Sequence, residues 1–457
     1  MKEKFKSESL ENGGLKRELG LAAATAIVVG NMIGSGIFMA PQGLAAASNP
    51  KAAMIAWIIT SIGSILLALS FAKMSTAMPK TGGPIVYSRA AFGEFAAFLI
   101  AWTYWIGAWV GNAAIITGFM SYFTYFFPVF GENRLFAFLM SSLVLWIFTW
   151  INIKGVKGAG LVGIVTTACK LVPLIIFAGI AAMKFDGGNF GTVSSVEVST
   201  MATIPAAVGI TLWSFVGLES ATVPAGEIKN PERNIRLSTI YGTIVTAVIY
   251  VVISFLAIGA MPQDKLAGSS APLADIINFA IGGTWGGTLI ALGAVISTLG
   301  ATSGWILTTA RSSYAAAEDK LFPKFFGNIH PKFKTPHTSL IVAGVCANIL
   351  LIMNYVGSLT SAFNFMLLLA TLAFLPAYSF TAAAEILLLT KHSADFNVWN
   401  FIKNSFMALL AFVYSIYAIY GTGATVVMYG FLLMLVGIPF YVYMKLQNNK
   451  GKSEQAV

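Results

Sequence analysis

Residues 26–41 read Ala-Ile-Val-Val-Gly-Asn-Met-Ile-Gly-Ser-Gly-Ile-Phe-Met-Ala-Pro. The stretch lies in an apolar run long enough to cross a bilayer, yet it carries Gly30, Gly34, Ser35 and Gly36. A glycine in a helix interior costs about 1 kcal/mol relative to alanine, so two glycines flanking a serine predict a broken helix. In lipid a break is tolerated only where its freed N–H and C=O groups face protein or a water-filled cavity. Such groups can hold the charged ends of a small zwitterion. The spacing of Gly30 and Gly34 equally suits close packing of two helices, and the stretch alone fits both readings. A second apolar run, 201–227, is interrupted by Ser214, Gly217 and Glu219, with Pro224 further on. Glu219 is a carboxylate at membrane depth, which needs a proton, a cation or hydrogen-bond donors. Lys170 lies mid-way along a third apolar run, too deep to reach either surface. A lysine in that position either exchanges a proton or acts as a strut between helices. Tyr104, Ala108 and Asn112 are spaced i, i+4, i+8 and share one helix face. Trp213 and Trp305 lie within spans, away from the interfacial belts. Their faces can stack on a guanidinium or ammonium group, or pack against apolar neighbours.

The elements that must position these groups are membrane helices. The 457 residues are 57% hydrophobic and 10% charged, against about 25% charged in a soluble domain. The chain therefore reads as an all-α polytopic membrane protein. A net charge of +10 does not point to nucleic acid, because the charges are few and lie between apolar spans. The two cysteines, Cys169 and Cys346, lie within spans and read as reduced packing residues. The histidines, His330, His337 and His392, have no metal-ligand spacing. No metal, cofactor or nucleophile–base pair is implied, which argues against an enzyme. The first apolar run lacks an evident signal-peptidase site and reads as a retained helix.

Twelve apolar stretches approach the length of about 20 residues that a span needs. They fall at 20–47, 52–77, 95–126, 134–152, 158–183, 201–227, 236–261, 286–316, 337–355, 360–390, 404–422 and 425–446. With both termini in the cytoplasm, only Lys51, Arg134, Lys184 and Lys265 fall outside, and the other loop and tail lysines and arginines fall inside. This predicts a multi-pass plasma (inner) membrane protein. Residues 78–94 predict a turn and a short amphipathic helix, and 272–282 a short surface helix. The expected organisation is an N-terminal tail (1–18), a ten-helix core (19–390), two further helices (391–446) and a C-terminal tail (447–457). Interrupted spans at matching places of two halves point to a transporter site. Here they are the first and the sixth. Two five-span repeats of opposite orientation would cover spans 1–5 and 6–10, with spans 11 and 12 appended.

Several segments resemble the amino acid–polyamine–organocation transporter superfamily. They are Gly34-Ser-Gly-Ile-Phe38, the Lys80-Thr-Gly-Gly loop, Tyr104-Trp with Trp109-Val-Gly-Asn112, Leu212-Trp-Ser-Phe-Val-Gly-Leu-Glu-Ser-Ala221 and Gly226-Glu-Ile-Lys-Asn-Pro231. Within it the chain is most similar to the basic amino acid/polyamine antiporters, which exchange arginine for agmatine or putrescine for ornithine. The resemblance implies the leucine-transporter-like 5+5 inverted repeat with helices 1 and 6 broken. It places a substrate carboxylate on the Ser35 and Gly36 N–H groups and the Ser35 hydroxyl. The substrate amino group would meet the carbonyls of Met32, Trp213 and Val216, with Asn31 at the same break. Gly107 and Ala108 would offer carbonyls, Asn112 would meet the substrate side chain, and Trp305 would flank it. Tyr104, Trp213 and Glu219 would form the gate. Lys170 would stand where sodium-coupled relatives bind their ion, which implies sodium independence. The antiporters that form dimers suggest a homodimer, though the sequence carries no interface signature.

The tenth span departs from the antiporters. Their polar side-chain contact is replaced by Leu369 or a neighbour, and their gate tyrosine by Ala377, unless a one-residue shift brings Tyr378 into that role. The leading expectation is sodium-independent exchange of a cationic amino acid for an amine or another amino acid, by alternating access. A neutral amino acid exchanger or proton symporter is the alternative, suggested by Lys170 and the tenth span. A non-transporting sensor is a third reading, against which the absence of a soluble domain speaks.

Overall fold

A computed structural model describes residues 17, 19–155, 159–191, 199–356, 358–390 and 398–454. The expected N-terminal tail, apart from Arg17, and His392 lie outside the described residues. The molecule is helical. Among the described residues the only extended pairing is one parallel bridge, in which Leu19 N–H donates to Glu227 O (3.0 Å) and Lys229 N–H to Leu19 O (2.8 Å).

The first span is two helices, α1 (Leu21–Met32) and α2 (Gly36–Ala47). Then come α3 (Pro50–Ala77), α4 (Pro84–Phe92), α5 (Glu94–Phe123), α6 (Arg134–Lys154) and α7 (Ala159–Met183). Next are α8 (Thr200–Trp213), α9 (Pro231–Ala260), α10 (Pro272–Ile281) and α11 (Trp285–Glu318). The chain ends with α12 (His337–Leu350), α13 (Leu359–Thr390), α14 (Val398–Gly421) and α15 (Ala424–Glu454). Boundaries follow local chemistry. Asn49 caps α3 by accepting from Ala52 N–H at 2.9 Å, and Pro50 follows as the first helical residue. Asn133 caps α6 through the N–H groups of Leu135 and Phe136.

With α1 and α2 taken together as Leu21–Ala47, eight helical segments among the described residues are long and apolar enough to cross a bilayer. Of the twelve predicted spans, the sixth and the ninth are matched by shorter apolar helices, Thr200–Trp213 and His337–Leu350, while the fifth and the eleventh fall on α7 and α14, of 25 and 24 residues. The predicted sixth span fails the length test for a plain reason: its helix stops at Trp213 and does not resume. The segment predicted as a surface helix, α10, is not superficial, since Leu273, Ala274, Ile276 and Ile277 are fully buried. Cys169 is exposed on the outer face of α7 and packs in no core. Helix α15 continues to Glu454, through most of the expected tail.

Helix α5 is the most enclosed of the long helices and α15 the least. α5 lies against α11 and α13, and α3 against α9. α1 packs on α7 and α9, and α8 on α3. This arrangement brings the end of α1, the start of α2 and the end of α8 together beside α5.

Candidate functional site

Helix α1 ends at Met32 and α2 begins at Gly36, so the carbonyls of residues 30–33 lose their helical partners. Each is taken by a side chain from another helix. Lys170 Nζ donates to Gly30 O at 2.7 Å, Trp305 Nε1 to Asn31 O at 3.1 Å and Tyr250 OH to Met32 O at 2.6 Å. Ser297 Oγ reaches Ile33 O at 3.5 Å. The donor side is different. The first N–H groups of α2 lack carbonyl partners by helix geometry, and the Ser35 hydroxyl is buried with no partner. Facing them is the Ser214 hydroxyl, also buried and unpartnered. A Cβ on Gly36 would lie 2.7 Å from that oxygen, so glycine is what allows the two breaks to meet.

Past Trp213 the chain runs in tight turns, held by bonds such as Ser214 N–H to Thr211 O (3.1 Å), Val216 N–H to Trp213 O (3.2 Å) and Ser220 N–H to Gly217 O (2.9 Å). The carbonyl of Val216 accepts none among the described residues. Gly217 has φ +113°, and a Cβ there would stand 3.2 Å from the backbone carbon of Asn31. Asn31 Nδ2 donates across the gap to Ser220 Oγ at 2.9 Å. The two breaks are thus in direct backbone contact.

Glu219 is fully buried just beyond. Its Oε1 accepts from Tyr104 OH at 2.9 Å and its Oε2 from Tyr378 OH at 2.7 Å and Gly217 N–H at 3.2 Å. Among the described residues it has no cationic partner. Glu385, also buried in a span, does have one, Lys73 Nζ at 2.8 Å. The tyrosine on Glu219 from the tenth span is Tyr378. On the same helix the Cβ of Ala370 lies with the Trp213 ring around Gly111.

Asn112 donates from Nδ2 to Thr309 Oγ1 at 3.1 Å, while its Oδ1 is buried without a partner. Trp305 stands one helical turn from Thr309, which donates back to Trp305 O at 2.6 Å. Phe374 fills the space between Tyr104 and this tryptophan. Its ring centroid lies 4.9 Å from that of Tyr104 and 5.5 Å from that of Trp305. Gly107 is pressed against the same ring, since a Cβ there would come within 3.0 Å of it. Gly107 and Ala108 lie inside the unbroken α5, so their carbonyls are engaged in its helix. The residues that the sequence singles out, Asn31, Met32, Ser35, Gly36, Tyr104, Asn112, Trp213, Val216, Glu219 and Trp305, come together around the two breaks. Tyr250, Thr309, Phe374 and Ser214 as a facing hydroxyl are not among them. Tyr250 carries a usable signal, a hydroxyl at mid-span. Phe374 carries none.

Lys170 stands on the other side of α1. It lines a cavity of about 380 Å³ that runs from Asn31 past Asn152 and Ser303 to Glu227 and Arg311. There Arg311 Nη2 meets Glu227 Oε2 at 3.0 Å.

A paired break of this kind is a transporter feature, and comparison with known proteins agrees. The model of the amino acid permease family matches residues 19–446. The chain belongs to that family, within the amino acid–polyamine–organocation superfamily. Like this permease in sequence is an arginine/agmatine antiporter of Chlamydia felis, 33% identical over 97% of the chain and 93% of the relative. An arginine/ornithine antiporter of Pseudomonas aeruginosa is 31% identical over 92% and 89%. One of Latilactobacillus sakei is 32% identical over 95% and 91%. The permease is therefore a multi-pass membrane protein of a transporter family whose similar members are amino acid antiporters.

Proposed function

We propose that this permease exchanges a cationic amino acid for an amine or another amino acid across the plasma membrane, without sodium and by alternating access. The observation that carries the reading is the pair of breaks in contact, with two buried, unpartnered hydroxyls, Ser35 and Ser214, beside the open N-terminus of α2. Helix N-termini favour anions, so a substrate carboxylate fits here. The Val216 carbonyl is open for its amino group. Asn112 Oδ1 and the uncompensated Glu219 favour a further positive charge on the substrate. The names of the similar antiporters support the same substrate class.

Sodium independence is supported by Lys170. Its ammonium already occupies the Gly30 carbonyl, where a small cation would otherwise bind. Alternating access is supported by the cavity beyond Lys170, which leads from the breaks to the Arg311–Glu227 pair on the lysine-rich side. The 5+5 repeat is supported by the packing pattern. The first span lies on the seventh (α1 on α9) as the sixth lies on the second (α8 on α3). Likewise the fifth lies on the eighth (α7 on α11) as the tenth lies on the third (α13 on α5). Under this reading spans 11 and 12 are α14 and α15.

A second reading, exchange of neutral amino acids, has its own observation. Phe374 and Ala370 make the side-chain end of the site apolar and short. Uptake of labelled arginine, ornithine, alanine and leucine into proteoliposomes, with and without internal substrate, separates the two. Trans-stimulated arginine or ornithine uptake, unchanged when choline replaces sodium, is expected. Uptake confined to alanine and leucine would overturn the cationic reading, and a strict sodium requirement would overturn the role of Lys170.

A further inference from the structure

The cavity beyond Lys170 carries a charge of its own. Of the described residues that line its volume of about 380 Å³, three are charged: Lys170, Glu227 and Arg311. They differ in depth. Lys170 is 2% exposed and lies beside the first break, whereas the side chains of Glu227 and Arg311 are 20% and 30% exposed and stand towards the mouth.

Glu227 is fixed in place. Its carbonyl accepts from Leu19 N–H at 3.0 Å, and the N–H of its neighbour Gly226 donates to Thr81 Oγ1 at 3.2 Å. Its carboxylate is already neutralised by Arg311. Lys170 has no such partner. Its Nζ donates to the uncharged Gly30 carbonyl at 2.7 Å, and it is in no ion pair among the described residues. The carboxylates that follow Arg311 on the chain do not compensate. Asp319 is held by Arg89, and Glu318, about two helical turns beyond Arg311, does not line the cavity. The lining therefore carries two cations and one anion. A cleft with an excess of one sign, set in low-dielectric walls, concentrates solutes of the opposite sign and opposes those of its own. This one draws a carboxylate inwards and holds off a solute that has only ammonium groups.

We infer that Lys170 and Arg311 make the cavity a charge filter, so that the solute exchanged from the lysine-rich side is an amino acid and not its decarboxylated amine. The inference rests on the exchange reading above and removes one of the two partners which that reading allows.

The test loads proteoliposomes with ornithine or with putrescine, which share their two amino groups and differ in the carboxylate, and follows uptake of labelled arginine from outside. Ornithine should exchange at least about tenfold faster than putrescine. Arg311→Gln removes a positive charge from the lining and should narrow that ratio about fivefold, the worth of one unit charge at about 4 Å in water. Glu227→Gln removes the negative charge and should widen the ratio by about as much. Glu227→Arg combined with Arg311→Glu keeps the sum of charges and should keep the ratio. Because each ratio is taken within one variant, a change in its folded fraction or overall rate cancels. Equal exchange of ornithine and putrescine by the wild type would overturn the filter and leave the cationic reading standing. So would a ratio that neither single variant moves, since selection would then belong to the breaks alone. If alanine exchanges and arginine and ornithine do not, the cationic reading fails. The filter is then read from alanine against ethylamine in the same variants, where the same order is expected and equal exchange overturns it.

Discussion

The two breaks differ in what they leave open. At the first, four consecutive carbonyls are covered by side chains from α7, α9 and α11, and the helix restarts within three residues. Only its donor end, Ser35 and the first turn of α2, is free. At the second, the helix never restarts, and the chain runs through turns to Pro231. What it leaves open is an acceptor, the Val216 carbonyl, and a carboxylate held by two tyrosines from different helices. The first break is a cradle braced from three sides, with hydrogen-bond donors at its open end. The second is a jointed segment whose partners, Tyr104 and Tyr378, can part without breaking a helix. A rigid anion cradle and a loosely strung acid on one site suit a transporter that must both hold a substrate and move around it.

The largest effect expected is at the cradle. Ser35 packs against Gly118, where a Cβ would already lie 2.9 Å from Ser35 Cβ. Ser35→Lys has no room except the space between the breaks. Substrate binding, followed by isothermal calorimetry, should be abolished. Binding that survives would put the substrate carboxylate elsewhere. Next comes Gly217→Ala at the joint. The residue takes φ +113° against the Asn31 backbone, a conformation that costs a non-glycine residue about 1–3 kcal/mol. Thermal unfolding should move to lower temperature and transport should be lost more than tenfold. Normal transport would mean that the breaks do not depend on their backbone contact.

Glu219→Gln probes the carboxylate while keeping its shape. Hydrogen bonds to a charged group are worth about 1.5–3 kcal/mol against about 1 kcal/mol for neutral ones. Uptake of arginine or ornithine should fall roughly tenfold, and its dependence on pH should flatten. Unchanged uptake and pH profile would assign Glu219 to a structural hydrogen bond.

The breaks are legible in the sequence because glycine and serine clustered in an apolar run weaken the helix where lipid most demands one. Glu219 and Lys170 are legible for a related reason, since charge at membrane depth needs a partner. What is illegible is the identity of those partners. Nothing in the spacing of Tyr250 says that its hydroxyl covers Met32, because the two meet only after α9 packs on α1. Phe374 is hidden for the opposite reason: a phenylalanine in a span is the commonest kind of packing residue, and only its place between Tyr104 and Trp305 sets it apart. Whether a tyrosine of the tenth span reaches Glu219 is something that sequence resemblance alone does not resolve and one hydrogen bond from Tyr378 does. The sixth span reads as an interrupted crossing that reaches 227, because its composition stays apolar to Ala225. Composition does not show that, past the interruption, the backbone bonds change to the tighter i to i−3 pattern and stay there.

The smallest expected effect sharpens the comparison from the braced side. Tyr250 OH occupies the Met32 carbonyl at 2.6 Å, the group that the family resemblance assigns to the substrate amino group. Both uses of that carbonyl compete. If the tyrosine braces the empty site and yields to substrate, Tyr250→Phe removes a competitor. The empty permease should then lose about 0.5–1.5 kcal/mol of stability, seen as a fall in melting temperature, while substrate affinity should hold or rise slightly. If affinity instead falls with stability unchanged, Tyr250 is part of the binding surface and the first break is less rigid than its four covered carbonyls suggest. The ratio of the two readouts, measured on one variant, decides whether the bracing belongs to the fold or to the site.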